Sequence, residues 1–265
     1  MLSVTIIIPV YKKLDLFAES FFNNSKFFDN SQVIIINDDP ASENLQIDSR
    51  FSIYPKTTFI QNDKNLGFSK SVNKAVKSAK TDLVTLLNTD VFLKDMSWQK
   101  ALNCFEQDSK LFAISFSQDD GTGNVTGRNR IYFKNGLIHH STLSISSGTD
   151  LLETGWAEGG SAIFRKSMWD ELGGFDENFS PFYWEDVDLS YRAKVNGWKV
   201  LFSKEVKVLH RHESTIGSFF DKEKVKETAF AHQVYFTKKH ASAVQKISLH
   251  FFLAKLWLKN AIKKS

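Results

Sequence analysis

Short, uninterrupted apolar runs recur near the start of the chain, over residues 4–11, 32–39, 57–63 and 82–90. Stretches such as VTIIIPVY and DLVTLL lack the strict alternation with polar residues that marks a half-exposed strand. Runs of this length are typical of strands that are buried on both faces, as in a parallel sheet. The pattern therefore predicts four buried strands.

Segments with helical spacing separate these runs. Residues 14–28 show this spacing, and after Gly67 an apolar face forms from Phe68, Val72, Ala75 and Val76. A further helix is predicted over residues 184–196, because Gly197 is a typical helix end. Strands alternating with helices predict an α/β fold with a mostly parallel sheet that helices cover on both faces.

The alternation loosens beyond about residue 95. Residues 119–136 contain four glycines and are predicted to form a mobile loop. Gly121, Gly123 and Gly127 superficially resemble a dinucleotide-binding fingerprint, but their spacing is wrong and no strand and helix flank them. We therefore expect no dinucleotide site in this segment.

Composition places the chain among ordinary globular proteins. It has 265 residues, of which 42% are apolar and 24% are charged. The single cysteine, Cys104, excludes an internal disulfide and suits a reducing compartment. No run of 18 uncharged apolar residues occurs, and the first predicted strand begins at once, so we expect no spanning helix, no signal peptide and a cytoplasmic location.

The C-terminal segment, residues 226–265, is predicted to be a basic, amphipathic helical tail. No acid follows Glu227, whereas seven lysines occur from Lys238 to the end. One helical stripe is apolar, and a second consists of Lys255, Lys259 and Lys263; the apolar stripe is formed by Val244, Ile247, Phe251, Ala254 and Leu258. Either the apolar stripe packs on the rest of the protein, or the tail lies on an anionic membrane, at the inner face of the cell membrane.

Acidic residues follow three of the predicted strands. They are Asp38 and Asp39, then Asp63, then Asp90. Any one of them could cap a loop, but ligands of open α/β sheets bind at this edge. A nucleoside diphosphate fits such an edge, because a carboxylate such as Asp38 can accept the N–H of a pyrimidine base. Its diphosphate needs a divalent cation, Mn²⁺ or Mg²⁺, for which Asp90 is a candidate ligand.

A second acidic cluster lies in the stretch PFYWEDVDLSYR, residues 181–192. Glu185, Asp186 and Asp188 directly follow three aromatic residues. One explanation is that acids in the first turn of a helix interact favourably with the helix dipole and stabilise the helix. The other is that one carboxylate, shielded by the aromatics, acts as a general base. Asp188 is expected to pair with Arg192 one turn later.

Seven segments resemble family 2 glycosyltransferases, in the order seen in that family. They are TIIIPVYKK, VIIINDDPASEN, NLGFSKSVNKAV, LVTLLNTDVFL, GGSAIFRKSMWDELGGFDENF, YWEDVDLSYRAKVNGWKV and VLHRHEST, within residues 3–215. The rhamnosyltransferase-like and galactofuranosyltransferase-like branch is the most similar. The resemblance implies a GT-A fold and an inverting mechanism. It implies a nucleotide-binding half over residues 1–95, a donor-sugar and acceptor half over 96–225, and the tail beyond.

The resemblance also implies roles for individual residues. The nucleotide would be bound by Pro9, Tyr11, Asp38, Asp63, Gly67 and Asn88, the last standing where the family has the first acid of its metal motif. Asp90 would bind the metal with His210, for which His212 is the alternative. Gly159 and Gly160 would lie beneath the donor sugar, and Trp156 could stack on it. Asp186 would be the catalytic base, with Glu185 beside it.

The expected function is transfer of a sugar from a UDP- or dTDP-sugar to a saccharide acceptor, in bacterial surface polysaccharide assembly. The acceptor could be lipid-linked, and no nucleic-acid partner is expected. One alternative is a sugar-nucleotide pyrophosphorylase, but the stretch IPVYKKLD lacks the glycine-rich loop such enzymes carry. The other is a binding module without turnover, against which Asp90 and Asp186 argue.

Overall fold

A computed structural model describes residues 2–29, 31–42, 51, 54, 56–145, 147–211 and 218–262. The strands are β1 (Val4–Val10), β2 (Gln32–Asn37), β3 (Thr57–Gln61), β4 (Leu83–Leu87), β5 (Val91–Leu93), β6 (Leu111–Asp119), β7 (Val125–Thr126), β8 (Asn129–Lys134), β9 (Leu137–Thr142), β10 (Leu151–Glu153), β11 (Ser161–Arg165) and β12 (Lys199–His210). The helices are α1 (Leu14–Ser25), α2 (Phe68–Ser78), α3 (Ser97–Gln107), α4 (Lys166–Glu171), α5 (Glu185–Val195), α6 (Lys222–His240) and α7 (Ala243–Ile262), with a short 3₁₀ helix at Glu177–Phe179.

One large sheet organises the molecule, in the order β10-β12-β6-β11-β4-β1-β2-β3. The predicted strands β1 to β4 pair in parallel. β11 runs antiparallel between β4 and β6, and β12 is again parallel to β6. Only β10 and β11 on this path therefore oppose the other strands, which confirms the mostly parallel α/β fold.

Apolar side chains fill both faces of the sheet. Ile6 and Ile8 of β1 belong to the core that packs against α1 and α3, where Phe17 and Trp98 are buried. Ile7 points to the other face, into the core formed with α2, α4 and α5. Successive strand residues alternate between faces, so a run of three isoleucines supplies both cores at once.

The segment predicted as a mobile loop contains ordered structure, and that prediction was wrong. β8 pairs antiparallel with β9 in a two-stranded sheet, joined by a turn at Asn135 and Gly136. Along β8 burial alternates, with Ile131 and Phe133 less exposed than their neighbours. The alternation RIYF is a half-exposed strand signal that the surrounding glycines obscured.

The C-terminal helices pack on this hairpin. From α6, the Thr237 hydroxyl accepts the amide of Ile138 at 3.0 Å, and Gln233 Nε2 donates to the Ile138 carbonyl at 3.0 Å. Phe236 is buried in a third core with Trp184 and Trp156. The helical tail is confirmed, but the apolar stripe predicted on it is exposed, so it does not pack on the part of the chain that the structure describes. No helix among the described residues is long and apolar enough to span a membrane.

Candidate active site

A cavity of about 380 Å³ lies at the carboxyl ends of β1, β2 and β4. This is the edge at which open α/β sheets bind their ligands. All but two of the predicted site residues line it: Pro9, Tyr11, Asp38, Gly67, Asn88, Asp90, Gly159, Gly160, Glu185, Asp186 and His210. Residues from both halves of the chain thus meet around one space.

Asp38 is buried directly after β2 and holds the loop that precedes α2. Its Oδ1 accepts from the amide of Leu66 at 2.8 Å and from Asn62 Nδ2 at 2.9 Å. Its Oδ2 accepts from the amide of Gly67 at 2.8 Å. Gly67 has φ +82°, which glycine adopts without steric cost. A carboxylate has about four lone-pair sites, so Asp38 keeps acceptor capacity for a ligand while it fixes this wall.

Asn88 and Gly160 form the floor of the cavity. The Asn88 amide donates to the Gly160 carbonyl at 2.8 Å, which joins the end of β4 to the start of β11. A Cβ on Gly160 would collide with the Asn88 side-chain amide. Glycine is therefore required here, because the neighbouring side chain occupies the space of any larger residue.

Asp90 and His210 lie next to each other in the lining of the cavity. His210 Nε2 lies 3.4 Å from Asp90 Oδ1, and His210 Nδ1 lies 2.8 Å from Gln118 Oε1. An amide oxygen only accepts, so Nδ1 carries a proton and donates to Gln118. Buried partners of this kind commonly orient the histidines that bind metals. Nε2 is thereby directed toward the Asp90 carboxylate.

This pair fits a divalent cation. Imidazole nitrogen beside a carboxylate suits Mn²⁺, whereas Mg²⁺ prefers oxygen alone. Within the described ranges no three His, Cys, Asp or Glu side chains gather into a metal cluster. Cations that act on diphosphates are often held by one or two protein side chains, with phosphate oxygens completing the set. The alternative ligand, His212, lies outside the described residues.

Three carboxyl groups gather on the opposite wall. Asp186 is partly exposed there, and its two oxygens accept from the amides of Gly159 at 3.0 Å and Val187 at 2.8 Å. Glu185 is buried, and its Oε2 has no hydrogen-bond partner among the described residues. Glu158, which the sequence analysis missed, also lines the cavity and accepts from Asn129 Nδ2 at 2.6 Å.

Burial sets the acidity of this cluster. It raises the pKa of Glu185 well above its usual value, and the neighbouring Asp186 raises it further. Burial and Asp186 together raise the pKa of Glu158 to about 8. Burial also raises the pKa of Asp186, against the opposing effect of its backbone hydrogen bonds, of which that from Gly159 is the strongest. Asp186 is the one member with backbone donors to both oxygens, which makes it best suited to carry the charge.

Aromatic residues shape the wall before Asp186. Phe182, Tyr183 and Phe220 line the cavity, whereas Trp184 is buried in the third core. Tyr183 and Trp184 have φ values of 75° and 78°, a left-handed conformation that is costly for residues with side chains. His232 of α6 is buried against this strained stretch, with Nδ1 3.0 Å from the Phe182 carbonyl and 3.1 Å from that of Tyr183.

Two predicted site residues lie outside the cavity wall. Asp63 is exposed beyond β3, so nothing in this geometry supports its assignment to the nucleoside site, which stays a prediction. Trp156 is buried in the third core, where its ring packs edge-on against His140. Its side chain hydrogen-bonds Glu158, so Trp156 supports the wall from behind.

The overall fold is that of the GT-A glycosyltransferases. The crystal structure of GalNAc-T7 with UDP, GalNAc and Mn²⁺ has this fold, with a TM-score of 0.68 at 14% identity, over 96% of this chain and 55% of that one. The family described as Glycosyltransferase like family 2 matches residues 3–227. This chain belongs to glycosyltransferase family 2.

Two bacterial relatives match most of the chain. The O-antigen chain rhamnosyltransferase WbaN of Salmonella anatum is 24% identical over 222 residues, which are 81% of this chain and 68% of WbaN. The O-antigen biosynthesis protein RfbC of Myxococcus xanthus is 23% identical over 223 residues, 80% of this chain. The chain spans 17% of the length of RfbC.

Proposed function

We propose that this protein transfers a sugar from a nucleoside diphosphate donor to an acceptor hydroxyl, with inversion at the anomeric carbon. The observation that carries the proposal is that one cavity is lined by the Asp90–His210 pair and, on its other wall, by Asp186. The first pair suits the diphosphate and its cation, and the second wall suits a general base. Membership of glycosyltransferase family 2 supports this assignment.

The residues that line the cavity have separate roles in the proposed reaction. Asp38, with Pro9 and Tyr11 beside it, binds a pyrimidine nucleoside, which favours a UDP- or dTDP-sugar. Asn88, Gly159 and Gly160 form the floor beneath the sugar. Asp186 accepts the proton of the acceptor hydroxyl. The hydroxyl oxygen attacks the anomeric carbon of the donor sugar, and the bond from that carbon to the diphosphate breaks on the opposite face of the sugar. Mn²⁺ or Mg²⁺ at Asp90 and His210 would stabilise the charge of the leaving diphosphate.

We propose that the acceptor is part of a bacterial surface polysaccharide, because WbaN and RfbC are named for O-antigen assembly. Such an acceptor is a saccharide and could be lipid-linked. We propose a cytoplasmic location at the inner face of the membrane. The division into a nucleotide half, residues 1–95, and a donor-sugar and acceptor half, residues 96–225, follows from the same assignment.

A donor screen tests the function directly. Purified protein with Mn²⁺ is heated with UDP-, dTDP- and GDP-sugars, and the donor that binds the native state raises the melting temperature by mass action. Release of nucleoside diphosphate from that donor is then measured with and without saccharide acceptors. We expect acceptor-dependent release, and a product whose anomeric configuration by NMR is inverted.

The alternatives give different products. A pyrophosphorylase would release pyrophosphate from a nucleoside triphosphate and a sugar phosphate, and nucleoside diphosphate would not form. A binding module would show a thermal shift with no release under any acceptor. Retention of the donor's anomeric configuration in the product would overturn the inverting mechanism while leaving the transferase activity in place.

A further inference from the structure

Helix α7 is apolar on two opposite sides. Leu249 is fully buried, and Phe252 packs over the turn between β8 and β9, so close to Gly136 that no side chain would fit there. At about 100° per residue, the predicted apolar stripe lies on the other side of the helix. Its side chains are exposed: Val244 by 77%, Ile247 by 58%, Phe251 by 73% and Leu258 by 54%. A helix with apolar residues on both sides normally has a partner on both.

The flanks of this outward apolar face carry only positive charge. Lys255 and Lys259 lie on one flank, and Lys246 lies on the other; all three are exposed. No acidic residue follows Glu227 in the sequence, so no carboxylate on α7 balances them. Trp257, 70% exposed, lies beside Lys246 on the second flank. Apolar residues with lysines and a tryptophan at their border are typical of helices that lie in a membrane interface.

We propose that the outward face of α7 docks this protein on an anionic lipid bilayer. The charges argue for lipid over a second copy of the chain, because two such faces would bring their lysines together across the contact. The helix would lie in the plane of the interface, since it cannot span the membrane. The docking helix follows the residues matched by the family, which end at 227.

The packing of α7 connects this surface to the wall that carries Asp186. The hairpin beneath α7 runs on through β9 to His140, whose ring packs edge-on against Trp184 at 5.2 Å between centroids. Trp184 directly precedes Glu185 and Asp186. Docking through α7 would therefore place the membrane on the hairpin side of the cavity. This last step rests on the proposed function, but the docking itself does not.

Binding to vesicles of phosphatidylcholine alone, or with one quarter phosphatidylglycerol, tests the proposal. Trp257 is the one strongly exposed tryptophan in the described chain, so its fluorescence should shift to shorter wavelength when it enters the interface. We expect the shift, and co-sedimentation, with the anionic vesicles at low salt, and their loss at high salt. If the protein does not bind anionic vesicles at low salt, the proposal is overturned.

Paired variants separate the two contributions. Phe251→Ser with Leu258→Ser should lower vesicle affinity at least tenfold, whereas Val195→Ser, at a valine 70% exposed on α5, should leave it unchanged. Lys255→Gln with Lys259→Gln should weaken binding more than tenfold, because each lysine near an anionic surface contributes about fivefold. The exposed pair Lys70 and Lys77 of α2, changed to Gln, removes the same charge and should have a smaller effect.

The other occupants of this face give distinct results. If a second copy covers it, the wild type sediments as a dimer without lipid, and Phe251→Ser yields a monomer; that result overturns the proposal. If the α2 and α7 lysine variants lose vesicle binding equally, binding depends only on net charge and not on the face of α7. That result also overturns the proposal. Thermal melts of every variant confirm that each folds, and donor binding, which docking does not require, should stay at the wild-type level.

Discussion

The Asp186 carboxylate is held at the rim of its wall by two backbone amides, those of Gly159 and Val187. These donors fix its direction and favour its ionised form, while the buried surroundings raise its pKa. A general base needs this balance, because it must be ionised and still basic enough to accept a proton. Glu185 Oε2 is buried and has no hydrogen-bond partner in the described part of the chain. The two neighbouring acids are therefore not equivalent.

Replacement of Asp186 by Asn should lower kcat by about 10² to 10⁴, the usual contribution of a general base. The amide keeps the size of the side chain but cannot accept the proton. Donor affinity should stay close to wild type, because our proposal assigns nucleotide binding to Asp38 and to the Asp90–His210 pair. Turnover gives kcat and calorimetry gives the donor Kd. If Asp186→Asn stays within threefold of wild type while Glu185→Gln is inactive, the base is Glu185.

The raised pKa of Glu158 predicts how the stability of the protein depends on pH. Its pKa in the folded protein is about 8, above the ordinary value of 4.5. Below pH 4.5 both folded and unfolded states are protonated, and the shift has no effect on stability. As pH rises toward 8, the unfolded chain releases the proton first, so the free energy of unfolding falls. Glu158→Gln has no carboxyl group to titrate and so does not lose this stability. The melting temperature of the variant minus that of the wild type should therefore increase from pH 5 to pH 8.

The same substitution at Glu153 of β10, which is exposed and lies outside the cavity, provides the control. Gln also resembles the protonated form of Glu158, so the variant should keep most of its turnover at neutral pH. A melting-temperature difference that is independent of pH for Glu158→Gln would show that this carboxyl ionises normally in the folded protein.

At the residue scale, the sequence predicted which side chains would lie around the cavity where a strand end or a helix end fixed their position. Asp38, Asp90 and Asp186 stand at strand or helix ends, so their meeting at one edge follows from the topology of a parallel sheet. Glu158 and Gln118 could not be found in this way. Glu158 lies between two strands, and Gln118 lies near the end of a strand where nothing in the local pattern separates it from a packing residue. Only the tertiary fold brings them to Asp186 and His210.

Helix α5 begins in a strained stretch that helix α6 stabilises. The Phe182 and Tyr183 carbonyls point inward as the backbone turns through positive φ, and His232 Nδ1 donates to both. Further along α5, Asp188 is buried and pairs with Arg192 at 2.7 Å, as the sequence predicted, and with His240 of α6 at 2.7 Å. α6 thus fixes both the approach to Asp186 and the first turn of its helix.

This contact predicts that His232 is a positioning residue. His232→Leu removes the donor to one buried and one partly buried carbonyl, which costs about 1–3 kcal/mol for a buried unsatisfied group and relaxes the strained turn. We expect kcat to fall at least tenfold while the donor Kd stays near wild type. His232→Asn should recover most of the turnover, because its amide can donate from the position of Nδ1. A merely structural histidine would instead leave kcat unchanged in the fraction that remains folded.

Elements were predictable where one periodicity dominates. The runs of β1, β2 and β4 and the apolar face of α2 have a single pattern over their whole length. The hairpin of β8 and β9 was missed because its half-exposed strands, six residues each, lie among glycines and charges. The sequence predicted the apolar stripe on α7, but it did not predict whether that stripe faces the protein or the outside. Both sides of α7 are apolar, so the sequence pattern alone cannot decide between them.

At the scale of the whole molecule, the cavity closes because distant parts of the chain reach one sheet edge. β12 is a twelve-residue strand that pairs with β6 on both sides of an irregularity between Phe202 and Lys207, and it carries His210 at its end. There it lies beside β5 and within 3.4 Å of Asp90. The cation site proposed here therefore needs one ligand from the nucleotide half and one from the end of the second half. Its occupation should couple the stability of the two halves.

This coupling gives a prediction about metal. Mn²⁺ together with UDP or dTDP should raise the melting temperature of the protein after EDTA treatment and dialysis, since binding to the native state alone contributes about 2.7 kcal/mol at a hundredfold excess over Kd. Either component by itself should give a smaller shift, because the diphosphate supplies the remaining ligands. Asp90→Ala should abolish the metal-dependent part, and His210→Ala should reduce it.

Asp170→Asn is the matched control, because Asp170 is an exposed acid of α4 that lines a separate surface recess. Each variant is compared with itself in EDTA, so any change in basal stability cancels. Turnover should follow the same order, with activity lost in EDTA and restored by Mn²⁺ in the wild type and in Asp170→Asn. Full turnover in the chelator, or a Mn²⁺ shift that survives Asp90→Ala, would contradict the metal site. The leaving diphosphate would then have to be neutralised by the protein's own cationic side chains.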